Sequence, residues 1–531
     1  MKIAGLDIGT TGCKCTVFDE QGAYLGKAYR DYPIKRAAGG HEVDAADIME
    51  GVYGVLGEMA GQYPDIGGIG VTSFGETFVL TDGEGKPLHP AMLYTDPRGR
   101  EECGKLKAAV GERRIAGITG LRPHEMYSIS KLMWLQENRP EIYQKAEYVF
   151  LMEDFVVWNL TGRRQIDYSL AARTMAFDIE ALDWSREIFD AAGIDMKKMS
   201  QPVPTGTDAG PVLASAAKRT GLREGTHVVT VSHDQVAAAV GAGAFDSSVA
   251  VDGAGTVECV TPVFDGMPDI DVMYKGYFSI VPYVVPGKYV AYAFSYTGGA
   301  LVQWCGDTLA KREKVTAEAA GVSVNTYLEE LYRKEYFEKK AAVPIDKLAA
   351  GAPREAEAVP EAGNTSVLAV EPTGLLVLPH FAGAATPYMD TGSKGAILGL
   401  TMDTSTAELY RACMEGVVYE MYLNIKSLRG SGCRFTRMHA TGGGARSAEW
   451  MQMKADMLDV PITALKTVDA GTVGCAMLTG IAIGIFNDLQ DAAQHMVEET
   501  VTYVPRPEMH GKYMRIFERY EKVYQAVRPL M

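Results

Sequence analysis

Two distant stretches of this chain are written to one plan. "KIAGLDIGTTGCKCTVFD" (2–19) and "SSVAVDGAGTVECVTPVF" (247–264) each place an apolar β run first. Asp, Gly and Thr follow at a turn, and then a second apolar run. Asp7 and Asp252 stand 245 residues apart in a chain of 531. A period near half the length predicts two similar units, and this length also calls for more than one core. Two unrelated Gly-rich hairpins would look the same, so the repeat depends on what the rest of the chain says. Apolar residues make up 47% and charged residues 22%, ordinary globular values that suffice for two cores.

The organisation that follows is α/β. The first segment reads as strands around the turn "DEQG", then a helix in "DAADIMEGVYGVLGEMAGQYP" with Asp44 as N-cap. "IGGIGVTS" is a buried strand. "GETFVLTDGEGKPLHPAMLYTD" is expected to form a hairpin around "DGEGKP", and "SISKLMWLQENRPEIYQKA" to be helical. Strands in a block, followed by alternating helix and strand, predict a sheet layered with helices. "KREKVTAEAAGVSVNTYLEELYRKEYFEKK" is charged and helical, while "AAGAPREAEAVPEAGNTS" reads as an exposed connection. The apolar stretch 471–486 is shorter than the ~20 residues of a membrane span and is expected to be a core helix packed through small residues.

Charge and cysteine usage exclude several functions. A net charge of −15 argues against nucleic-acid or anionic-membrane binding. An anionic ligand would need local devices, such as backbone amides or a metal. The eight cysteines form no CxxC and no zinc spacing with the nine histidines. Reduced, buried thiols and a cytoplasmic location are expected. The N-terminus enters a strand with no apolar leader, so secretion is not expected.

Five features carry chemistry. "THVVTVS" is a buried-looking strand that ends in His-Asp-Gln, and a bare carboxylate at such a strand end is usually paired, metal-bound or working. Asp234 is that carboxylate; its plain alternative is a helix N-cap. "DIGTTGCK" (7–14) offers glycines for close backbone approach, amides for an anion nest and threonine hydroxyls as donors. Asp7 at its start could hold hydrated Mg²⁺. It is not a Walker loop, because GxxxxGK[ST] is absent. "VDGAGTVECV" gives a second such turn. "TGGGARSAEWMQMKAD" places three glycines between a β run and a helix, which suits a nucleotide, and "SYTGGALVQWCGD" is a further glycine turn into a helix.

Taken in order, "DIGTTGCK", "GVTSFGETFVLTDGEGKPLHPAMLYTDPRG", "HDQVAAAVGAGA", "GGALVQWCGD", "LLVLPHFAGAATPYMDTGSKGAILGL" and "TGGGARSAEWMQMKAD" resemble the FGGY carbohydrate kinases, which include xylulokinase, gluconokinase and glycerol kinase. The resemblance runs from Asp7 to about Asp488. It implies two actin-like (ribonuclease H-like) domains, here 1–244 and 245–531, with ATP and sugar in the cleft between them. It implies Asp234 as catalytic base, Asp7 and Asp234 as candidate Mg²⁺ ligands, and Thr10, Thr11 and Lys14 near the phosphates. Gly255 and Thr256 match the second phosphate turn. Gly299 and Gln303 fall where the family meets phosphate and nucleotide, and Gly443, Gly444 and Ala445 match the adenosine loop. On the substrate side the candidates are Glu76, Asp96 and Gln235. Glu76 lies where glycerol kinases read "RET", with Gly75 in place of the arginine, and the "QMHG" of xylulokinases is absent. His233 is expected to be a packing residue, and Met126 and Tyr127 are candidate pocket walls. The implied reaction is ATP-dependent phosphorylation of a primary hydroxyl of a small sugar or polyol, with a xylulose-like ketopentose as first choice. A kinase for a linear signalling sugar and a nucleotide-binding regulator on the same fold are the alternatives. Homodimerisation is an expectation carried by the resemblance alone.

Overall fold

The computed structural model describes residues 1–37, 39–341, 369–467 and 469–531. The stretch expected to be an exposed connection, 349–366, lies outside the described residues. The architecture is α/β, with two large mixed sheets and helices on their faces.

The first sheet begins with β1 (Lys2–Ile8), β2 (Gly12–Phe18) and β3 (Tyr24–Asp31), an antiparallel meander through tight turns. α1 (Ala45–Gln62) follows. Asp44 caps it by accepting from the Ala46 N–H at 2.9 Å, and Ile48, Val52, Val55, Leu56 and Met59 form its buried stripe. β4 (Ile66–Ser73) then pairs parallel to β1, and β6 (His227–His233) parallel to β4, with β5 (Thr207–Pro211) antiparallel at the edge. The order is β5-β6-β4-β1-β2-β3.

The second half repeats the plan. β7 (Val249–Ala254), β8 (Glu258–Phe264) and β10 (Tyr289–Ser295) are antiparallel neighbours, with β9 (Ser279–Pro282) outside β10. β11 (Arg437–Thr441) runs parallel to β7, and β12 (Ile462–Leu465) parallel to β11, with β13 (Glu499–Tyr503) antiparallel at the edge. The order is β9-β10-β8-β7-β11-β12-β13. β1 and β7 hold the same place in their sheets. The recurrence at Asp7 and Asp252 is therefore a repeat of topology.

Three helices tie this frame to the cleft. α2 (Asp234–Gly241) leaves β6 and leads toward the second sheet, and α3 (Gly299–Thr308) opens after the glycine turn at 298. α5 (Ala470–Ala482), preceded in sequence by α4 (Ala448–Leu458), comes from the second half yet lies on the first sheet. Its small residues allow this. A Cβ on Gly5 would sit 2.3 Å from the Thr472 carbonyl oxygen. Where α2 and α5 cross, a Cβ on Gly241 or Gly474 would sit 1.9 Å from the carbonyl oxygen of Ala470 or Ala237 respectively. Among the described residues no helix is long and apolar enough to cross a membrane. All eight cysteines are buried and unbridged.

One expected element forms differently. Phe78–Thr81 pairs antiparallel with Tyr148–Leu151, and Ala91–Met92 pairs with Gly40–Val43, so "DGEGKP" closes only a single bridge from Thr81 to Pro87. The turn itself is closed by the Asp82 N–H to the Lys86 carbonyl at 3.1 Å and the Leu88 N–H to the Leu80 carbonyl at 2.9 Å, but the pairing extends no further because both flanking strands take other partners.

Candidate active site

β6 is buried on both faces until it ends at His233. The chain then turns into α2, whose N-cap is His233, with no side chain capping the helix. Asp234 is thus the first helical residue and not the cap. Its side chain is 32% exposed. Burial pushes its carboxyl up to about 7; the like charges of Asp7 and Glu76 add to this, while the Gln235 N–H and the Arg173 guanidinium oppose it. His233 Nε2 lies 3.3 Å from Asp234 Oδ1. Gln235 is half-buried on the same turn.

The acceptor side is built by ion pairs. Glu76 is buried and takes a positive φ of 64° directly after β4 and Phe74–Gly75. Arg173 grips it, donating from Nε at 2.7 Å and from Nη2 to the same oxygen, while Arg173 Nη1 is buried without a partner. The guanidinium also packs over the rings of Tyr127 and Tyr292. Gly75 is needed for this: a Cβ there would lie 3.1 Å from Arg173 Cγ and 3.1 Å from the His233 ring. Asp96 is buried and committed, accepting from the His41 N–H at 2.7 Å and from the Arg98 N–H, Nε and Nη2 at 3.0, 2.8 and 2.6 Å. Burial alone would raise its carboxyl; these donors hold it below the usual carboxylate range. Tyr127 and half-buried Met126 line a small cleft between the halves with Ser279 and Phe294.

The first glycine turn presents half-buried Thr10 and exposed Thr11, closed by the Gly9 N–H to the Gly12 carbonyl at 2.9 Å. Lys14 bridges two carboxylates, Asp7 Oδ2 at 3.0 Å and Asp469 Oδ1 at 2.9 Å. Asp469 comes from the second half, just ahead of α5. Burial raises the Asp7 carboxyl; Lys14 opposes the rise and Asp469 adds to it.

The second turn is stitched to α3. Gly298 and Ala300 donate their N–H groups to the Thr256 carbonyl, both at 3.0 Å, and Gly299 donates to the Gly255 carbonyl at 2.9 Å. Behind it, Lys454 of α4 is buried between Asp252 Oδ2, at 2.6 Å, and Glu258 Oε1. Burial, and then Asp252, push the Glu258 carboxyl far up, and Lys454 opposes the rise. The two repeat-related aspartates therefore differ: Asp7 faces the cleft and Asp252 is sealed. Gly255, Thr256, Gly299, Gln303, Gly443 and Gly444 all line one cavity of about 720 Å³, with Asn325, Glu329, Tyr410 and Trp450 completing its wall. Ala445 is buried behind the glycines.

The structure thus gathers the second glycine turn, the start of α3 and the 443–444 loop around one cavity, while Asp7 and Glu76 are near enough to Asp234 for their charges to raise its carboxyl. Among the described residues no three His, Cys, Asp or Glu side chains are grouped as metal ligands. Arg173, Tyr292 and Asp469 were not found from the sequence and no local motif marks them; Lys454 lies inside "TGGGARSAEWMQMKAD" but was not singled out there.

Residues 2–241 match the N-terminal domain of the FGGY family of carbohydrate kinases, and 261–483 match its C-terminal domain. The chain is 26% identical to a xylulose kinase of Bacillus subtilis, over 99% of this chain and 97% of that one. It is 29% identical to a glycerol kinase of Halorhodospira halophila, over 95% and 92%. Its fold is that of the gluconate kinase from Lactobacillus acidophilus (TM-score 0.82, 21% identity, 99% and 98% covered) and of Plasmodium falciparum glycerol kinase with ADP (TM-score 0.80, 19% identity, 98% of both covered). With both domains matched in order along a chain whose two sheets share one strand order, this protein belongs to the FGGY family of carbohydrate kinases and is a phosphotransferase.

Proposed function

We propose that the chain transfers the γ-phosphoryl group of ATP to a primary hydroxyl of a small sugar or polyol, with Asp234 as general base. The observation that carries this reading is Asp234 itself: a carboxylate just after a strand end, 32% exposed, raised to about 7 by burial and by the charges of Asp7, at the first glycine turn, and of Glu76. A sugar hydroxyl is a weak nucleophile. A carboxylate in hydrogen-bond reach orients it and takes its proton as the new O–P bond forms and the bond from Pγ to the β-bridging oxygen breaks. Most of the acceleration comes from positioning and from charge neutralisation in a closed, dry cleft.

ATP fits the 720 Å³ cavity with its adenosine against Gly443, Gly444 and Gln303. Its phosphates would meet the amides of Gly255, Thr256 and Gly299 and the turn at Thr10, Thr11 and Lys14. Lys14 alone offsets Asp7 and Asp469, and Asp234 adds a third carboxylate nearby. Asp7 and Asp234, with Asp469 beside Asp7, are the residues that would hold Mg²⁺, mostly through its bound waters. When bound, the ion neutralises phosphate charge. Glu76 and Gln235 would read acceptor hydroxyls; Asp96, engaged by Arg98, would shape the pocket through that pair.

Xylulose-like ketopentoses are the first acceptors to test, since xylulose kinases stand among the similar proteins; glycerol and gluconate follow on the same ground. The test is a coupled ADP-release assay over ketopentoses, aldonates and polyols. Acceptor-dependent ADP release with one class far above the rest supports the reading. Background release with every acceptor, while ATP binds, would leave only a nucleotide-binding regulator.

A further inference from the structure

The strand that carries Asp234 ends irregularly. β6 pairs with β4 in one register up to Thr230 and in a shifted one from Ser232, so the ladder slips just ahead of the base. At the slip, side-chain hydroxyls take hold. The Ser232 carbonyl accepts from Thr72 Oγ1 of β4 at 2.6 Å. The N–H of the same peptide unit, on His233, donates to Ser169 Oγ at 3.0 Å. The next peptide unit is held as well, its His233 carbonyl accepting from Ser232 Oγ at 3.0 Å. Thr72, Ser169 and Ser232 are all fully buried.

Ser169 is itself oriented. It lies in the short helix Tyr168–Ala172, which Asp167 caps by accepting from the Ser169 and Leu170 N–H groups, both at 2.8 Å. The buried Asp167 carboxylate also accepts from Thr205 Oγ1 at 2.7 Å and from Ser169 Oγ at 3.0 Å. A hydroxyl has one proton and two lone pairs. Ser169 gives that proton to Asp167, which leaves its lone pairs for the His233 N–H. Arg173 stands one helical turn beyond Ser169 and grips Glu76 from Nε at 2.7 Å. A single turn of chain therefore holds both the strand end that carries the base and the carboxylate of the acceptor side.

We propose that Thr72 and Ser169 are positioning residues for Asp234: two buried hydroxyls clamp the peptide unit ahead of it from both ends, and Asp167 sets the direction of the second. This rests on the reading of Asp234 as the base. A displacement of about 1 Å at a reacting group costs about 10²-fold in rate, so the strand end must be fixed more tightly than a slipped ladder fixes it. At 0% exposure neither hydroxyl meets ATP or acceptor, and their effect on the reaction passes through the placement of Asp234.

The experiment compares kcat and KM for ATP and the best acceptor in full-length wild type, Thr72→Val, Thr72→Ser, Ser169→Ala and Asp234→Asn. Thr72→Val and Ser169→Ala are also each combined with Asp234→Asn. ATP calorimetry and a thermal melt serve as folding controls. Thr72→Val keeps the shape and loses the hydroxyl; its kcat is expected to fall by about 5- to 50-fold, with KM for ATP within about three-fold. Ser169→Ala is expected to lose about as much. Thr72→Ser keeps the hydroxyl, and its kcat is expected to lie within about three-fold of wild type. On the Asp234→Asn background neither substitution should lower the residual rate by more than about two-fold, because the group being positioned is gone. Unchanged kcat in either Thr72→Val or Ser169→Ala overturns the proposal, whatever the melt shows. So does a loss in Thr72→Ser as large as in Thr72→Val, or a full further loss on the Asp234→Asn background. Wild-type activity in Asp234→Asn itself would instead overturn the base assignment underneath it.

Discussion

Asp234 differs from the aspartates around it in how little holds it. Asp7 has Lys14, Asp96 has Arg98 and Asp252 has Lys454. Asp234 has no lysine or arginine paired to it among the described residues; the Gln235 N–H and the Arg173 charge are what oppose its rise. A carboxylate left without a cation in a half-buried place is raised, and this one is raised to about 7, where a base serves best at neutral pH. The sign follows from the ionised form being the active one. The rate kcat/KM should fall as pH drops below about 7 and reach a plateau above it. A pH profile in the coupled assay checks this; a limb near the ordinary carboxylate value of ~4 would show that the group is not raised. Asp234 was legible in the sequence because a strand rich in Val that ends in Asp breaks the logic of burial. The long-range partners around the site were not. Arg173 meets Glu76 from 97 residues away, His233 meets Tyr292 over 59, and Lys454 meets Asp252 over 202. No local pattern encodes such a meeting.

At the scale of elements, α5 is the piece that joins the halves. Its apolar run and small residues were readable as a core helix; its partners were not, because it crosses from the second half onto the first sheet. Gly474 and Gly241 let α5 and α2 touch backbone to backbone. Gly474→Ala would place its Cβ 1.9 Å from the Ala237 carbonyl, and a backbone atom does not move aside cheaply. Equilibrium urea unfolding should show a loss of about 1–3 kcal/mol. An unchanged or higher midpoint would mean that the helices are not in backbone contact. The expected "DGEGKP" hairpin stays a short turn for a related reason. Strand pairing is decided by partners, and Phe78–Thr81 finds its partner at Tyr148–Leu151, beyond the reach of a turn motif.

At the scale of the whole molecule, the half-length repeat foretold two sheets of one strand order, and the structure has them. It did not foretell that the halves are interlocked. A fragment of residues 1–244 carries β1, β4 and β6 but lacks α5, so it exposes the face around Gly5, Gly68 and Gly70. Such a fragment is expected to show no cooperative thermal transition, and co-expression with 245–531 is expected to restore one. A cooperative melt of the fragment alone would show that the first half is self-sufficient. The interlock also serves the chemistry, because Asp469 at the start of α5 meets Lys14 from β2 directly beneath the cleft.

The account rests on one carboxylate steering an alcohol toward a terminal phosphate, and one comparison addresses that alone. Single-turnover transfer to the best acceptor is measured beside ATP affinity by calorimetry, in wild type and in Asp234→Asn. The predicted result is a transfer rate lowered by about 10²–10⁴-fold, with ATP affinity within a few-fold of wild type. Transfer at the wild-type rate, or a loss of ATP binding as large as the loss of transfer, would contradict it.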